Sequence, residues 1–225
     1  MVSMNAADCP LCGSSLEESA EEWMVPVKGG RARYFHCSYC DLVFLDPGLR
    51  PTAAEERARY LEHNNSPADE GYVRYLRGFA EEALLPYVGP PAKVLDFGSG
   101  PVPVFSQLMG ELGFSVDIYD AVFAPDVQWQ ENRYDAVTAV EVVEHLFEPM
   151  AEFRRIMKVV QPGGFLVLRT LLHYSDKERF AGWWYRQDPT HVSFYSPRSF
   201  EFLAAFLDFE LVDIKKGRSV ILRRS

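Results

Sequence analysis

The chain has 225 residues, 48% of them hydrophobic and 24% charged, a balance that excludes large-scale disorder and leaves room for one sizeable domain with a small appendage. Its 32 acidic against 23 basic residues give a formal net charge of -9, which argues against nucleic acid as a partner, since phosphate neutralisation needs a basic field. No apolar run approaches the roughly 20 residues of a membrane span, and Met1 to Asp8 lacks a charged-then-apolar leader pattern, so the expected location is the cytoplasm.

All four cysteines come first in the chain, as Cys9-Pro10-Leu11-Cys12 and Cys37-Ser38-Tyr39-Cys40. Two pairs with this gap can close a sulfur tetrahedron around one structural zinc ion, which leaves no open position for catalysis. Between the pairs, Trp23, Val25, Val27, Tyr34 and His36 alternate across Gly29-Gly30 as in a β-hairpin. The expectation is a zinc ribbon over residues 1–46. Redox chemistry is the rival reading, but a dithiol enzyme carries one such pair at a helix start. His36 is a substitute ligand or, more simply, a half-exposed strand residue. The ribbon either recognises and covers a substrate or only stabilises the fold, and both roles stay open at this point.

Residues 47–90 read as a helical linker and lid. Thr52 and Glu55 have capping-box spacing, so a helix should start there and run to about Glu62, broken by His63-Asn64-Asn65-Ser66-Pro67. A second helix should start near Ala68 or Asp69 and end before Pro86, with Tyr72, Tyr75, Leu76 and Phe79 on one side. Tyr60, Tyr72 and Tyr75 either line a site beneath these helices or pack in the core, the commoner use of aromatic residues at helical spacing.

From residue 91 to 225, strands near Val94, Val116, Ala136, Phe165, Phe209 and Val220 alternate with helices at Val104 to Leu112, Pro149 to Val160 and Ser199 to Leu207. That alternation implies an α/β fold with a doubly wound, mostly parallel sheet, which binds ligands beyond the carboxyl ends of its strands. The first strand runs into Gly98-Ser99-Gly100, where backbone can approach a ligand closely. The second ends in Asp120, a carboxylate able to accept from ribose hydroxyls. Together they point to a nucleoside-containing cofactor. A dinucleotide fingerprint would want a third glycine where Pro103 stands, so pyrophosphate is disfavoured.

Two further segments extend the pattern. Tyr134-Asp135-Ala136-Val137-Thr138-Ala139-Val140 runs into Glu141-Val142-Val143-Glu144-His145, and Gln161-Pro162-Gly163-Gly164 turns into Phe165-Leu166-Val167-Leu168-Arg169-Thr170. In order and spacing, the chain from about Tyr72 onward resembles the class I S-adenosylmethionine-dependent methyltransferases, and among them the ubiquinone O-methyltransferase-like enzymes. The resemblance implies a Rossmann-like domain that binds S-adenosylmethionine and methylates a small-molecule acceptor. It places Gly98, Ser99, Gly100, Asp120, Glu141 and His145 at the cofactor, Asp96 near its ammonium group, and the helices of residues 47–90 over the pocket. Two departures stand out. Pro101-Val102-Pro103 stiffens the turn, and the stretch from Asp120 to Tyr134 is short for the family's third strand. Asp126, Gln128 and Gln130 are candidates there for an adenine contact or for a plain polar loop.

The segment from Leu171 to Arg198 is the least regular and most aromatic, and this is where the family builds its acceptor pocket. Trp183, Trp184 and Tyr185 are the candidate substrate wall; the competing reading is an insertion packed on its own rings. Displacement at a sulfonium needs acceptor and methyl held in line and water excluded. A hydroxyl acceptor also needs a base, for which His191 is the candidate, as base or orienter. Two alternatives remain: an RNA or protein methyltransferase that uses the ribbon for recognition, and a non-catalytic cofactor-binding scaffold.

Overall fold

The computed structural model of the chain describes residues 8–27, 29–62, 65–174 and 176–225. Residues Met1 to Ala7, read above for a leader, and the helix break at His63-Asn64 lie outside them.

The ribbon comes first. A helical turn α1 (Leu16–Ser19) leads into the hairpin β1 (Ala20–Val27) and β2 (Gly30–Cys37), and β3 (Val43–Leu45) pairs with β2. Val27 pairs with Gly30, so Gly30 already belongs to β2. A fourth strand, β8 (Ser193–Phe194), comes from far down the chain and pairs antiparallel with β3. The ribbon sheet therefore extends across residue 46 into the aromatic segment.

The helices α2 (Ala53–Glu62) and α3 (Glu70–Phe79) follow. Thr52 and Glu55 make the reciprocal capping bonds, with Glu55 N donating to Thr52 Oγ1 and Thr52 N to Glu55 Oε2. Asp69 caps α3 by accepting from Gly71 N and Tyr72 N. One face of α3 buries Leu76 and Phe79, whereas α2 buries no residue of its own.

The main sheet has six strands in the spatial order β5 (Ser115–Tyr119), β4 (Lys93–Phe97), β6 (Tyr134–Val140), β7 (Val160–Arg169), β10 (Ser219–Arg224) and β9 (Phe209–Lys215). The first four run parallel, and β10 is antiparallel to both neighbours. Their crossovers include α4 (Val104–Glu111) and α5 (Pro149–Val159); α6 (Lys177–Gly182) and α7 (Pro197–Phe206) follow β7. The Pro-Gly-Gly turn lies inside β7, and a Cβ on Gly164 would sit 2.9 Å from the carbonyl oxygens of Asp135 and Gln161, so that position requires glycine. No strand forms among residues 121–133; one 3-10 turn, Gln128–Glu131, fills that span. Trp129 plugs the gap, its ring 5.7 Å from Phe97 and 5.1 Å from Tyr119.

Two of the apolar clusters join the ribbon to the rest of the chain. Cys9, Leu11, Leu42 and Phe44 are buried in the same cluster as Met150, Phe153 and Tyr195. Trp23, Val25 and Tyr34 share another with Phe180, Tyr185 and Phe194. Fully buried rings such as Phe44 and Phe194 each contribute roughly 1.5–3 kcal/mol of transfer free energy, so the ribbon face is held to the aromatic segment by substantial apolar packing.

Candidate active site

A cavity of about 860 Å³ opens at the carboxyl ends of β4, β5 and β6, where a doubly wound sheet is expected to bind its ligand. The turn after β4 forms its floor. Gly98 has φ of +82° and Gly100 of +70°, and the amides of Gly98 and Ser99 donate to the Tyr119 carbonyl at 2.7 and 3.1 Å. The Ser99 hydroxyl is buried without a hydrogen-bond partner among the described residues. Asp120 closes the turn from the next strand: Oδ2 accepts from Gly100 N at 2.9 Å, and Oδ1 from Val122 N and Phe123 N at 2.8 and 2.9 Å. A carboxylate has about four acceptor positions, so Asp120 shapes the loop and keeps capacity for a further donor.

Asp96 does not line this cavity. It is buried behind the turn, where Oδ2 accepts from Ser106 Oγ at 2.7 Å. Burial pushes its carboxyl up to about 6, against the Ser106 hydrogen bond and with help from the charge of Asp120.

Beyond β6 lies a network that the aromatic segment completes. Glu141 sits in left-handed backbone, φ +54°, a conformation that costs about 1–3 kcal/mol and persists where neighbours enforce it. Those neighbours are two phenols: Tyr75 donates to Glu141 Oε1 at 2.5 Å and Tyr185 to Oε2 at 2.8 Å. The buried Arg169 holds Tyr75 through Nε at 3.2 Å. Tyr185 also reaches Glu144 Oε1 at 2.5 Å, and Glu144 Oε2 is buried with no partner among the described residues. Burial, then the Glu141 charge, push the Glu144 carboxyl well above the usual carboxylate range. One phenolic hydrogen thus lies between two carboxyls, and burial favours the neutral form of Glu144.

His145 and His191 face the cavity with rings 4.7 Å apart. Each donates Nδ1–H to a carbonyl, His145 to Thr190 at 2.9 Å and His191 to Tyr185 at 2.7 Å. A ring that donates from Nδ1 in its neutral form carries the lone pair on Nε2. Glu144, His145 and His191 each bring one ligand-type atom within 4.8 Å of the others, a spacing that also accommodates a divalent cation.

The lid contributes residues that sequence spacing left between packing and the site. Tyr60, Tyr72 and Tyr75 all line the cavity, together with Glu56 and Arg59. Arg59 grips Asp188 Oδ2 through Nε and Nη2 at 3.0 and 2.8 Å. Burial works to raise the Asp188 carboxyl, but this guanidinium and the Thr190 hydrogen bonds hold it well below the carboxylate range.

Of the candidate wall, Trp184 and Tyr185 line the cavity. Trp183 turns away and packs on Phe180, Tyr185 and Phe194. None of Asp126, Gln128 and Gln130 reaches the cavity; Asp126 caps Gln128 N, and Tyr119 and Ala121 to Phe123 form that wall.

The four cysteines converge in the ribbon. Cys9 and Cys40 sulfurs are 3.6 Å apart, as are those of Cys12 and Cys37, and all four lie within 4.8 Å of one another. Zn–S bonds of about 2.3 Å in a tetrahedron require S···S edges of about 3.8 Å, so this donor set fits one structural zinc. His36 is not needed for it: its Nε2 lies 2.6 Å from Asp41 Oδ1.

Comparison with known proteins agrees with this geometry. The family model described as "Methyltransferase domain" matches residues 50–214. Ubiquinone biosynthesis O-methyltransferases are similar over a shorter stretch: that of Aliivibrio fischeri is 30% identical over 77 residues, 34% of this chain and 33% of the relative. That of Pseudomonas savastanoi is 32% identical over 78 residues, with 34% and 33% covered. The match thus spans about a third of the length of these curated relatives. Among solved structures, the Burkholderia thailandensis 1,6-didemethyltoxoflavin-N1-methyltransferase, with its substrate and S-adenosylhomocysteine bound, superposes with TM-score 0.52 at 17% identity, covering 82% of this chain and 96% of that one. An O-methyltransferase family protein from the same organism gives 0.51 at 13%, covering 77% and 61%. At these identities the likeness shows the fold.

Proposed function

The chain belongs to the methyltransferase-domain family, and from that premise we propose that it methylates a small-molecule acceptor with S-adenosylmethionine bound between the Gly98 turn and Asp120. The observation that carries this reading is the single cavity in which the glycine turn, Asp120 and the His191 face meet. The cofactor supplies an electrophilic methyl on a sulfonium, and the protein's task is to hold the partners in line and keep water out. Ser99 Oγ, buried without a partner among the described residues, and the remaining acceptor position of Asp120 suit the hydroxyls and amino-acid tail of such a ligand.

Glu141 and His145 flank the cofactor end. The lid tyrosines 60, 72 and 75 close it from above. Trp184 and Tyr185 form the acceptor wall, and His191 Nε2 takes the proton of a hydroxyl acceptor. Zinc on Cys9, Cys12, Cys37 and Cys40 is structural and supplies folding free energy to the ribbon. The -9 net charge supports a small molecule over RNA. Unpaired thiols held as a metal set suit a reducing compartment such as the cytoplasm, and no helix among the described residues is long and apolar enough to cross a membrane.

Incubation with methyl-labelled cofactor and a small-molecule extract tests the reading. Label should move into an acceptor identifiable by mass spectrometry, and His191→Ala should slow the transfer. Label that stays on the cofactor would leave a binding scaffold, and label in RNA or protein would move the assignment to the rival classes.

A further inference from the structure

His191 owes its orientation to a residue that does not line the cavity. Its Nδ1–H donates to the carbonyl of Tyr185 at 2.7 Å, and that carbonyl belongs to the peptide joining Tyr185 to Arg186. A planar peptide is aimed by the residues at both its ends. Tyr185 is fixed by its phenol on Glu141 and Glu144. Arg186 is fixed by its guanidinium: Nε donates to the carbonyls of Phe180 at 2.8 Å and Ala181 at 3.0 Å, while Nη2 donates to Ala181 and, at 2.8 Å, to Pro26 of β1.

Arg186 is itself buried, 5% exposed. Desolvating a guanidinium is costly, and an apolar residue would fill the same space without that cost. What the guanidinium adds is direction: a planar fork joins α6, the 3-10 turn Trp184–Gln187 and the ribbon hairpin at one point. The ribbon grips the other side of His191 too, where Leu45 N donates to the Val192 carbonyl at 2.8 Å and β8 begins at Ser193.

We propose that Arg186 is a positioning residue for the methyl-transfer site: by anchoring the Tyr185–Arg186 peptide to the ribbon, it aims the carbonyl that keeps His191 in the Nδ1–H tautomer, with the Nε2 lone pair presented to the acceptor. The assignment rests on the reading of His191 as the group that takes the acceptor's proton. It also gives the ribbon a part in the site, as the body that Arg186 and Val192 are anchored to.

The test is nitrogen-15 NMR of the histidine side chains in the full, zinc-loaded chain, with the His191 signals assigned by their loss in His191→Asn. Wild-type His191, when neutral, should be predominantly the Nδ1–H form. In Arg186→Met the tautomer ratio should move toward Nε2–H by roughly tenfold, the worth of about one hydrogen bond, while affinity for S-adenosylhomocysteine stays within about twofold of wild type. Arg186→Lys, which keeps the charge but cannot reach all three carbonyls at once, should fall between the two and serves if the Met variant does not fold. A wild-type ring found mainly as Nε2–H overturns the proposal, as does a folded Arg186 variant with an unchanged tautomer ratio. The underlying reading fails separately, if His191→Asn transfers label from the cofactor into extract as fast as wild type.

Discussion

Substituting Gly98 tests the cofactor turn, because a Cβ at this position meets two separable penalties. The first is backbone: at φ +82° an L-residue pays about 1–2 kcal/mol for left-handed geometry. The second is steric. The new Cβ would lie inside contact distance of Val142 Cγ2, 2.8 Å from Cγ1 and 3.2 Å from Cβ, and overpacking of this kind costs about 1–3 kcal/mol. Gly98→Ala should therefore destabilise the chain by roughly 2–5 kcal/mol. Gly100 is the control, since φ is +70° there but no atom lies within 4 Å of a built Cβ; Gly100→Ala should cost only the backbone share, about 1–2 kcal/mol. Adding Val142→Ala removes both colliding methyls, so the Gly98→Ala/Val142→Ala pair should show a favourable coupling of about 1–3 kcal/mol in a double-mutant cycle. Urea denaturation measures all four variants, and titration with S-adenosylhomocysteine reports whether the shifted turn still binds. Equal costs at Gly98 and Gly100, or a coupling near zero, would refute the claim that Val142 packs against the bare glycine backbone.

Asp120→Ala removes the acceptor of three loop amides and should weaken cofactor affinity by ten- to a hundredfold, with a smaller loss of thermal stability; calorimetry and melting curves separate the two. Stripping zinc with a strong chelator should lower the melting temperature and unsettle the aromatic segment, since β8 pairs with the ribbon; tryptophan fluorescence and a one-to-one metal content by mass spectrometry follow it. Acid should weaken the same junction through His173, whose Nε2 donates to the Asp41 carbonyl at 2.8 Å. Burial pushes His173 down from 6.5 to about 4, so a base is held neutral in the fold. Its contribution is fully present above the unfolded value and is lost as pH falls from 6.5 toward 4, by about 3 kcal/mol in all. Urea curves across that range should flatten in His173→Gln, and an unchanged slope would contradict the assignment.

Local signals carried most of the architecture. Alternating runs and glycine turns mark the parallel strands, Thr52 and Glu55 mark the start of α2, and the two cysteine pairs mark the metal site, because each depends on residues close in the chain. The cavity lining was legible at strand ends, as at Gly98, Asp120, Glu141 and His145, and, through the family resemblance, at Trp184, Tyr185 and His191 of the aromatic segment. Tyr60, Tyr72 and Tyr75 were left between two roles because helical spacing is the same whether a face meets a core or a cavity. Trp183 and Trp184 are adjacent and alike in sequence, yet Trp183 packs on Phe194 of the ribbon sheet while Trp184, at the start of the 3-10 turn, lines the pocket. The union of ribbon and aromatic segment depends on β8, a strand of two residues paired with one roughly 150 positions earlier, and no local pattern announces such a contact.

Isothermal titration of the purified chain with S-adenosylhomocysteine puts the central claim to its most direct test. The account predicts saturable binding of one molecule per chain, weakened by Asp120→Ala and by Gly98→Ala. Absence of heat and of any melting-temperature shift at millimolar ligand would contradict it.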